Sequence, residues 1–209
     1  DGHFRFTTRA AIEFMTPNEE NVDKIIEEVE AYGFPVGGTG NSLRNLLHTQ
    51  GWVHCHSAAT DASGTVKAVM DDLYDYFKRD DLPAQIKISM ACCLNMCGAV
   101  HCSDISFVGI HRTLPRVIDE EVANQCEIPN LVASCPVGAI RPNPRKKSVT
   151  IDEKRCMYCG NCFSVCPAVP IANPDADGIA IFVGGKVSNT RKGPSFSKLV
   201  VPYIPNEPP

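Results

Sequence analysis

The chain has 209 residues, of which 44% are hydrophobic and 21% charged, with a formal net charge of −4. That balance fits a globular protein of one or two domains and argues against disorder, and the mildly acidic charge offers no broad basic field for nucleic acid. No apolar run reaches the roughly 18 residues of a membrane span, so no transmembrane segment is expected.

In chain order, "FRFT" alternates apolar and polar residues and predicts a strand. "TPNEENVDKIIEEVEAYG" predicts a helix with Thr16 as its cap, Pro17 in the first turn, Glu19 completing a capping box and Gly33 ending it; Val22, Ile25, Ile26 and Val29 form its buried stripe. "PVGGTGNS" is a glycine-rich loop, and "LRNLLHTQGWVHC" leads to the first cysteine, Cys55. A second helix is expected over 64–79, with Val66, Val69, Met70, Leu73 and Phe77 on one face. "AQIKIS" predicts a strand that delivers Cys92, and "DISFVGI" predicts another. After Asn130 short elements, turns and cysteines run to about Ile171, and "GIAIFVGGKVS" then predicts a hairpin turning at Gly184-Gly185.

The order reads as an α+β chain in three parts: 1–129, a small cysteine-rich insert over 130–172, and a return to strand over 173–209. It starts inside a strand and stops at "YIPNEPP", as a fragment would. Its first residues, "DGHFRFTTRA", hold no apolar export segment. Eleven cysteines, high for an intracellular chain and odd in number, fall in tight local groups that point to bound metal, and free thiols without a visible export segment agree with the reducing cytoplasm. Zinc and iron–sulfur are the candidates.

"CMYCGNCFSVCP" places Cys156, Cys159, Cys162 and Cys166 in the C-x2-C-x2-C-x3-C-P run of bacterial ferredoxins. The fourth cysteine of such a run serves another cluster, so the first three need a remote partner. Cys135, followed by Pro136 in "SCPVGAI", supplies it as the tail of a degenerate second motif. Cys135, Cys156, Cys159 and Cys162 are therefore assigned to one [4Fe–4S] cluster, and Cys166 is left as a buried thiol. A zinc site would prefer paired C-x2-C knuckles or histidines at ligand spacing.

The second group lies in "ACCLNMCGAVHC", with Cys92, Cys93, Cys97 and Cys102, and Cys55 far upstream. Cys93 and Cys97 have C-x3-C spacing. With "GWVHC" before it and the ferredoxin insert after it, this pattern resembles the siroheme-dependent sulfite and nitrite reductases, and among them the beta-subunit branch of the dissimilatory sulfite reductases. Those enzymes hold a [4Fe–4S] cluster by C-x5-C, a long gap and C-x3-C. Here Asp61 stands six residues after Cys55 where that pattern has a cysteine, and the Cys92-Cys93 doublet supplies the missing ligand. The resemblance implies Cys55, Cys92, Cys93 and Cys97 as ligands, with Cys97 bridging to the siroheme iron. The other reading of the doublet makes one member a packed thiol. Cys102 and Cys126 read as core residues.

The resemblance also implies anion-binding cations, for which Arg suits because its fork binds carboxylate in bidentate fashion and stays charged. Arg5 and Arg9 in "RFTTRA" resemble family arginines that take siroheme carboxylates. Arg44 in "LRNLL" resembles the substrate arginine, and Lys87 in "QIKIS" a lysine facing the anion, while Gln85 replaces the first lysine of that strand. Gly37, Gly38 and Gly40 would let backbone approach the macrocycle or form a plain loop. His54, His56 and His101 flank ligand cysteines and receive no role. Arg141 to Lys147 form a basic turn, either solvated or a dock for an electron donor.

The expected fold is thus the mixed sheet with helices of these reductases, interrupted by a ferredoxin-like insert. The implied function is six-electron reduction of sulfite toward sulfide by a heteromer, α2β2 with a related alpha subunit, and a small sulfur-accepting partner with a C-terminal cysteine. The cofactors would be siroheme and two [4Fe–4S] clusters. Competing readings are an iron–sulfur electron carrier without siroheme, a zinc-stabilised interaction module, and a siroheme enzyme that reduces nitrite or runs in the sulfur-oxidising direction.

Overall fold

A computed structural model describes residues 2–187 and 191–206. Its centre is a five-stranded mixed sheet in the order β11–β10–β7–β6–β4. The strands are β4 (Leu47–His48), β6 (Ile88–Ala91), β7 (Ile105–Ile110), β10 (Gly178–Val183) and β11 (Lys198–Pro205). β6 runs parallel to both β4 and β7, whereas β10 runs antiparallel to β7 and β11. All four residues of β6 are buried, as a strand covered on both faces must be.

The helix α2 (Ala62–Asp72) covers this sheet, as its apolar stripe requires. Val66, Val69, Met70 and Leu73 pack on Leu43, Leu46 and Ile88, so the expected face is the buried one. The helix breaks at Leu73 and continues as α3 (Tyr74–Lys78), so the single helix expected over 64–79 is two. Asp61 caps α2 through both carboxylate oxygens, which accept from the N–H groups of Ser63 and Gly64 at 3.1 Å each.

Three small sheets surround the centre. β1 (His3–Phe6) and β2 (Ile12–Met15) form a hairpin, β3 (Asn41–Leu43) lies parallel to β5 (Asp81–Ile86), and β8 (Ile140–Asn143) pairs with β9 (Ser148–Ile151). The last pair belongs to a unit with its own core. There α4 (Asp119–Gln125), α5 (Ile128–Ala133) and α6 (Asn161–Val165) gather Val122, Leu131, Ile140, Val149, Cys166 and Val169. Backbone bonds Arg116 N–H to Pro170 O and Ile118 N–H to Ala168 O close its neck.

Several expectations give way. The first helix, α1 (Glu20–Ala31), begins at Glu19 without a side-chain cap, because Thr16 Oγ1 accepts from Asn18 N–H instead. None of its residues is buried, and Val22 is exposed. "AQIKIS" is not one strand: the chain changes sheet at Lys87, passing from β5 to β6. No two-residue hairpin forms at Gly184-Gly185. Val183 pairs with Lys198, and those glycines donate their N–H groups back to Asp104 O and Ser103 O. Ser188, the last residue of that expected hairpin, lies outside the described residues.

Candidate metal centres

Four thiols meet in the small unit. Cys135 follows α5, Cys156 and Cys159 lie in the loop before α6, and Cys162 sits in its first turn. Together with Pro136, Ile140, Ile151 and Met157 they line one apolar pocket, part of it open to solvent. The loop reaches this shape through left-handed backbone at Tyr158 (φ 56°) and Gly160 (φ 80°). The N–H of Ala139 points at Cys135 Sγ (3.2 Å) and that of Tyr158 at Cys156 Sγ (3.5 Å), donors that favour thiolates. Burial pushes the Cys156 thiol up and the Cys162 thiol up to about 11. Thiols held up in this way need a positive partner to ionise, and four of them lining one apolar pocket are the donor set of an iron–sulfur cubane.

Cys166 takes no part in that cavity. It is fully buried and disulfide-bonded to Cys126, with Cα atoms 5.4 Å apart. The free buried thiol expected at Cys166 and the plain core residue expected at Cys126 are both corrected by this bond. It joins the C-terminal end of α4 to that of α6.

The second group assembles at the C-terminal end of β6. Adjacent residues on a strand point to opposite faces, but β6 ends at Ala91, and Cys92 and Cys93 follow in a bend. Both are buried and pack in one cluster with Cys55, Ala58 and Met90. Ser57 Oγ lies 3.8 Å from Cys55 Sγ and 3.8 Å from Cys93 Sγ. The neighbouring Cys93 thiol pulls the Cys92 thiol down to about 5, while Cys93 itself is pushed up by Cys92 and by burial. Burial raises the Cys55 thiol. Cys97 lies on the exposed side of the turn that follows, where Gly98 presses so close to Met90 O that a Cβ would come within 2.2 Å.

The cations lie around the other end of β6. Arg9 is half-buried and donates to Asn45 O (3.4 Å), Ile88 O (3.1 Å) and Ser103 Oγ (3.3 Å). Burial draws its guanidinium below the ordinary value, with Asp104 opposing and Arg44 adding to the effect. Arg44 donates to Gln85 Oε1 at 3.1 Å, so the residue that replaces the family's lysine orients this arginine. Lys87 joins the same region through its backbone, its N–H donating to Asp104 Oδ2 at 2.7 Å. Arg5 stands apart, exposed and paired with Glu13 across the β1–β2 hairpin at 2.5 Å.

Other expectations move. Gly37 and Gly38 make their close approach to Phe77, where a Cβ would come within 2.6 and 2.7 Å, rather than to a ligand space. Cys102 is exposed, because Val100 takes the buried place in its short 3-10 turn. His101 bonds Ser197 Oγ through Nδ1 at 2.9 Å.

The two cysteine groups share a wall that the sequence reading did not foresee. Gly160, between Cys159 and Cys162, lies against Ser57, which touches Cys55 and Cys93: a Cβ on Gly160 would stand 3.0 Å from the Ser57 Cβ and 3.8 Å from His111 Nε2. His111 is fully buried and bonds Ser57 O through Nε2 (2.9 Å) and Asp177 Oδ2 through Nδ1 (2.8 Å). The signal for this pair is sheet register: Gly178 pairs with Ile110, so Asp177 and His111 are the next residues out from that pair.

The family model of the nitrite and sulphite reductase 4Fe-4S domain matches residues 39–208. The chain is 53% identical over its whole length to the dissimilatory-type sulfite reductase subunit beta of Archaeoglobus fulgidus and 53% identical to that of Nitratidesulfovibrio vulgaris. It spans 59% and 58% of those relatives' lengths. The fold is similar to that of a solved dissimilatory sulfite reductase I, with a TM-score of 0.79 and 22% identity over 94% of this chain and 49% of that one. Among the described residues no helix is long and apolar enough to cross a membrane. From the match over 39–208, carried by a mixed sheet that gathers clustered cysteines, the chain belongs to the nitrite and sulphite reductase 4Fe-4S domain family.

Proposed function

We propose that this chain is the cofactor-binding part of a dissimilatory sulfite reductase beta subunit, acting in the cytoplasm on sulfite as a heteromer, α2β2, with a related alpha subunit. The proposal includes a small protein with a C-terminal cysteine that accepts the sulfur. Cys135, Cys156, Cys159 and Cys162 would hold one [4Fe–4S] cluster in a ferredoxin-like insert over 130–172, set between reductase parts 1–129 and 173–209. Cys55, Cys92, Cys93 and Cys97 would hold a second, with Cys97 also the link to siroheme. When bound, these groups store single electrons and supply the iron at which the anion's sulfur is reduced.

The chain's own contribution is charge and placement. Arg5 and Arg9 would take siroheme carboxylates, and Arg44 and Lys87 the sulfite oxygens, where fixed donors stabilise negative charge at no cost in reorganisation. The bonds that already orient Arg9 and Arg44 mean little side-chain entropy is left to lose on binding. The observation that carries the reading is the convergence of Cys55 with the Cys92-Cys93 doublet, brought together from 36 or more residues apart and in contact through Ser57 with the ferredoxin-type loop.

Anaerobically purified full-length protein tests it. Siroheme absorbance, iron and acid-labile sulfide for two cubanes, and sulfite turnover by the full heteromer are expected. Iron and sulfide without siroheme bands would make the chain an electron carrier, and zinc without iron an interaction module. Faster turnover with nitrite than with sulfite would select the other reaction in the family's name.

A further inference from the structure

His111 sits where the two cysteine groups touch, and both of its ring nitrogens face acceptors. Nδ1 lies 2.8 Å from Asp177 Oδ2, and Nε2 lies 2.9 Å from the carbonyl oxygen of Ser57. A neutral imidazole has one N–H and would leave one of these contacts as lone pair against lone pair. The site is dry, with His111 and Asp177 side chains at 0% and 1% exposure, so water does not replace the missing donor. A doubly protonated ring facing a carboxylate satisfies both neighbours. Asp177 is placed to be its counter-charge: besides facing His111, its carboxylate accepts from the N–H groups of Arg112 (3.0 Å) and Asn173 (2.9 Å).

The pair has a direction. Asp177 lies on the far side of the ring, while Nε2 faces Ser57 and the Gly160 turn, so the positive end points at the wall between the two cysteine groups. Reduction adds negative charge to a cluster, and in a low-dielectric site a fixed positive charge nearby favours the reduced form.

We infer that His111, kept as an imidazolium by Asp177, is a positioning residue of the electron path: it holds the Ser57 carbonyl beside the Gly160 turn and raises the reduction potentials of the clusters on both sides. This rests on the reading of two iron–sulfur clusters given above, and it assigns no contact between His111 and the substrate.

The test uses the full-length holoprotein, with iron and sulfide counted and each cluster's midpoint potential read by EPR during redox titration. In His111→Gln both midpoints are expected to move to more negative values with iron and sulfide unchanged. Asp177→Asn should shift both in the same direction, because the ring then loses its counter-charge and its second proton. Ser57→Ala keeps the backbone carbonyl that His111 bonds, and should shift only the cluster on the Cys55 and Cys93 side. Midpoints unchanged in His111→Gln at full iron content overturn the inference. Neutron diffraction of the unmutated holoprotein decides the protonation without any variant: a deuteron on each ring nitrogen supports it, and a single deuteron overturns it. Wild-type protein that carries fewer than two clusters would sink the two-cluster reading itself, a failure visible in the iron count before any potential is measured.

Discussion

Gly160 and Ser57 lie so close that a single added methyl group on the glycine would stand 3.0 Å from the serine's Cβ. The contact joins the loop of Cys159 and Cys162 to the cluster of Cys55 and Cys93, across 103 positions of chain. Gly160→Ala should harm this seam twice. An alanine at φ 80° costs about 1–2 kcal/mol in backbone strain, and its methyl pushes the loop off Ser57. The expected result is lower thermal stability and faster loss of iron on exposure to a chelator, while Gly184→Ala, at a positive φ with open space around it, should cost the strain alone.

Arg9 and Arg5 should part company on mutation, although both read as macrocycle ligands. Arg9 holds the β1–β2 hairpin to the sheet through the carbonyls of Asn45 and Ile88 and the hydroxyl of Ser103. Arg9→Ala removes charge-assisted bonds in a half-buried site and should destabilise the fold by about 2–3 kcal/mol. Arg5→Ala breaks only an exposed pair with Glu13 and should cost less than about 1 kcal/mol. Urea unfolding midpoints compare the two directly. Siroheme content then reports any role of Arg5 free of a stability effect.

Asp61 stands six residues after Cys55, and its carboxylate caps α2. Asp61→Ala should lower stability by about 1 kcal/mol and leave the iron and sulfide content unchanged. Loss of a cluster in that variant would mean that Asp61 is a ligand.

Cys126 and Cys166 close a loop of sequence separation 40. Cys166→Ser should cost about 2–4 kcal/mol in thermal or urea unfolding under oxidising conditions and little in excess dithiol, where the parent pair is also open. Its iron content should equal that of the parent, whereas Cys162→Ser should lose iron. Equal iron loss in both variants would return Cys166 to the ligand set.

On the proposed reading of Arg44 as an anion-binding residue, Arg44→Ala should lower kcat/KM for sulfite in the full heteromer, measured by steady-state kinetics. Gln85→Ala should produce a weaker effect of the same kind by freeing Arg44 from the bond that orients it.

What the sequence determined by itself was local. The spacing of Cys156, Cys159 and Cys162 and the apolar face of α2 are short-range facts, readable because a loop of three or a turn of helix sets them. The doublet at Cys92-Cys93 could be noticed but not judged, because its use depends on β6 ending at Ala91. The exposed stripe of α1, the change of sheet at Lys87 and the long return from Val183 to Lys198 were settled by which strands pair, not by their own alternation. Tertiary structure alone joined Cys126 to Cys166, set Asp177 opposite His111 across 66 positions, and laid Gly160 on Ser57. Such contacts follow from register and packing of the whole sheet, and a buried hydrogen-bonded pair leaves no periodic trace in the chain that builds it.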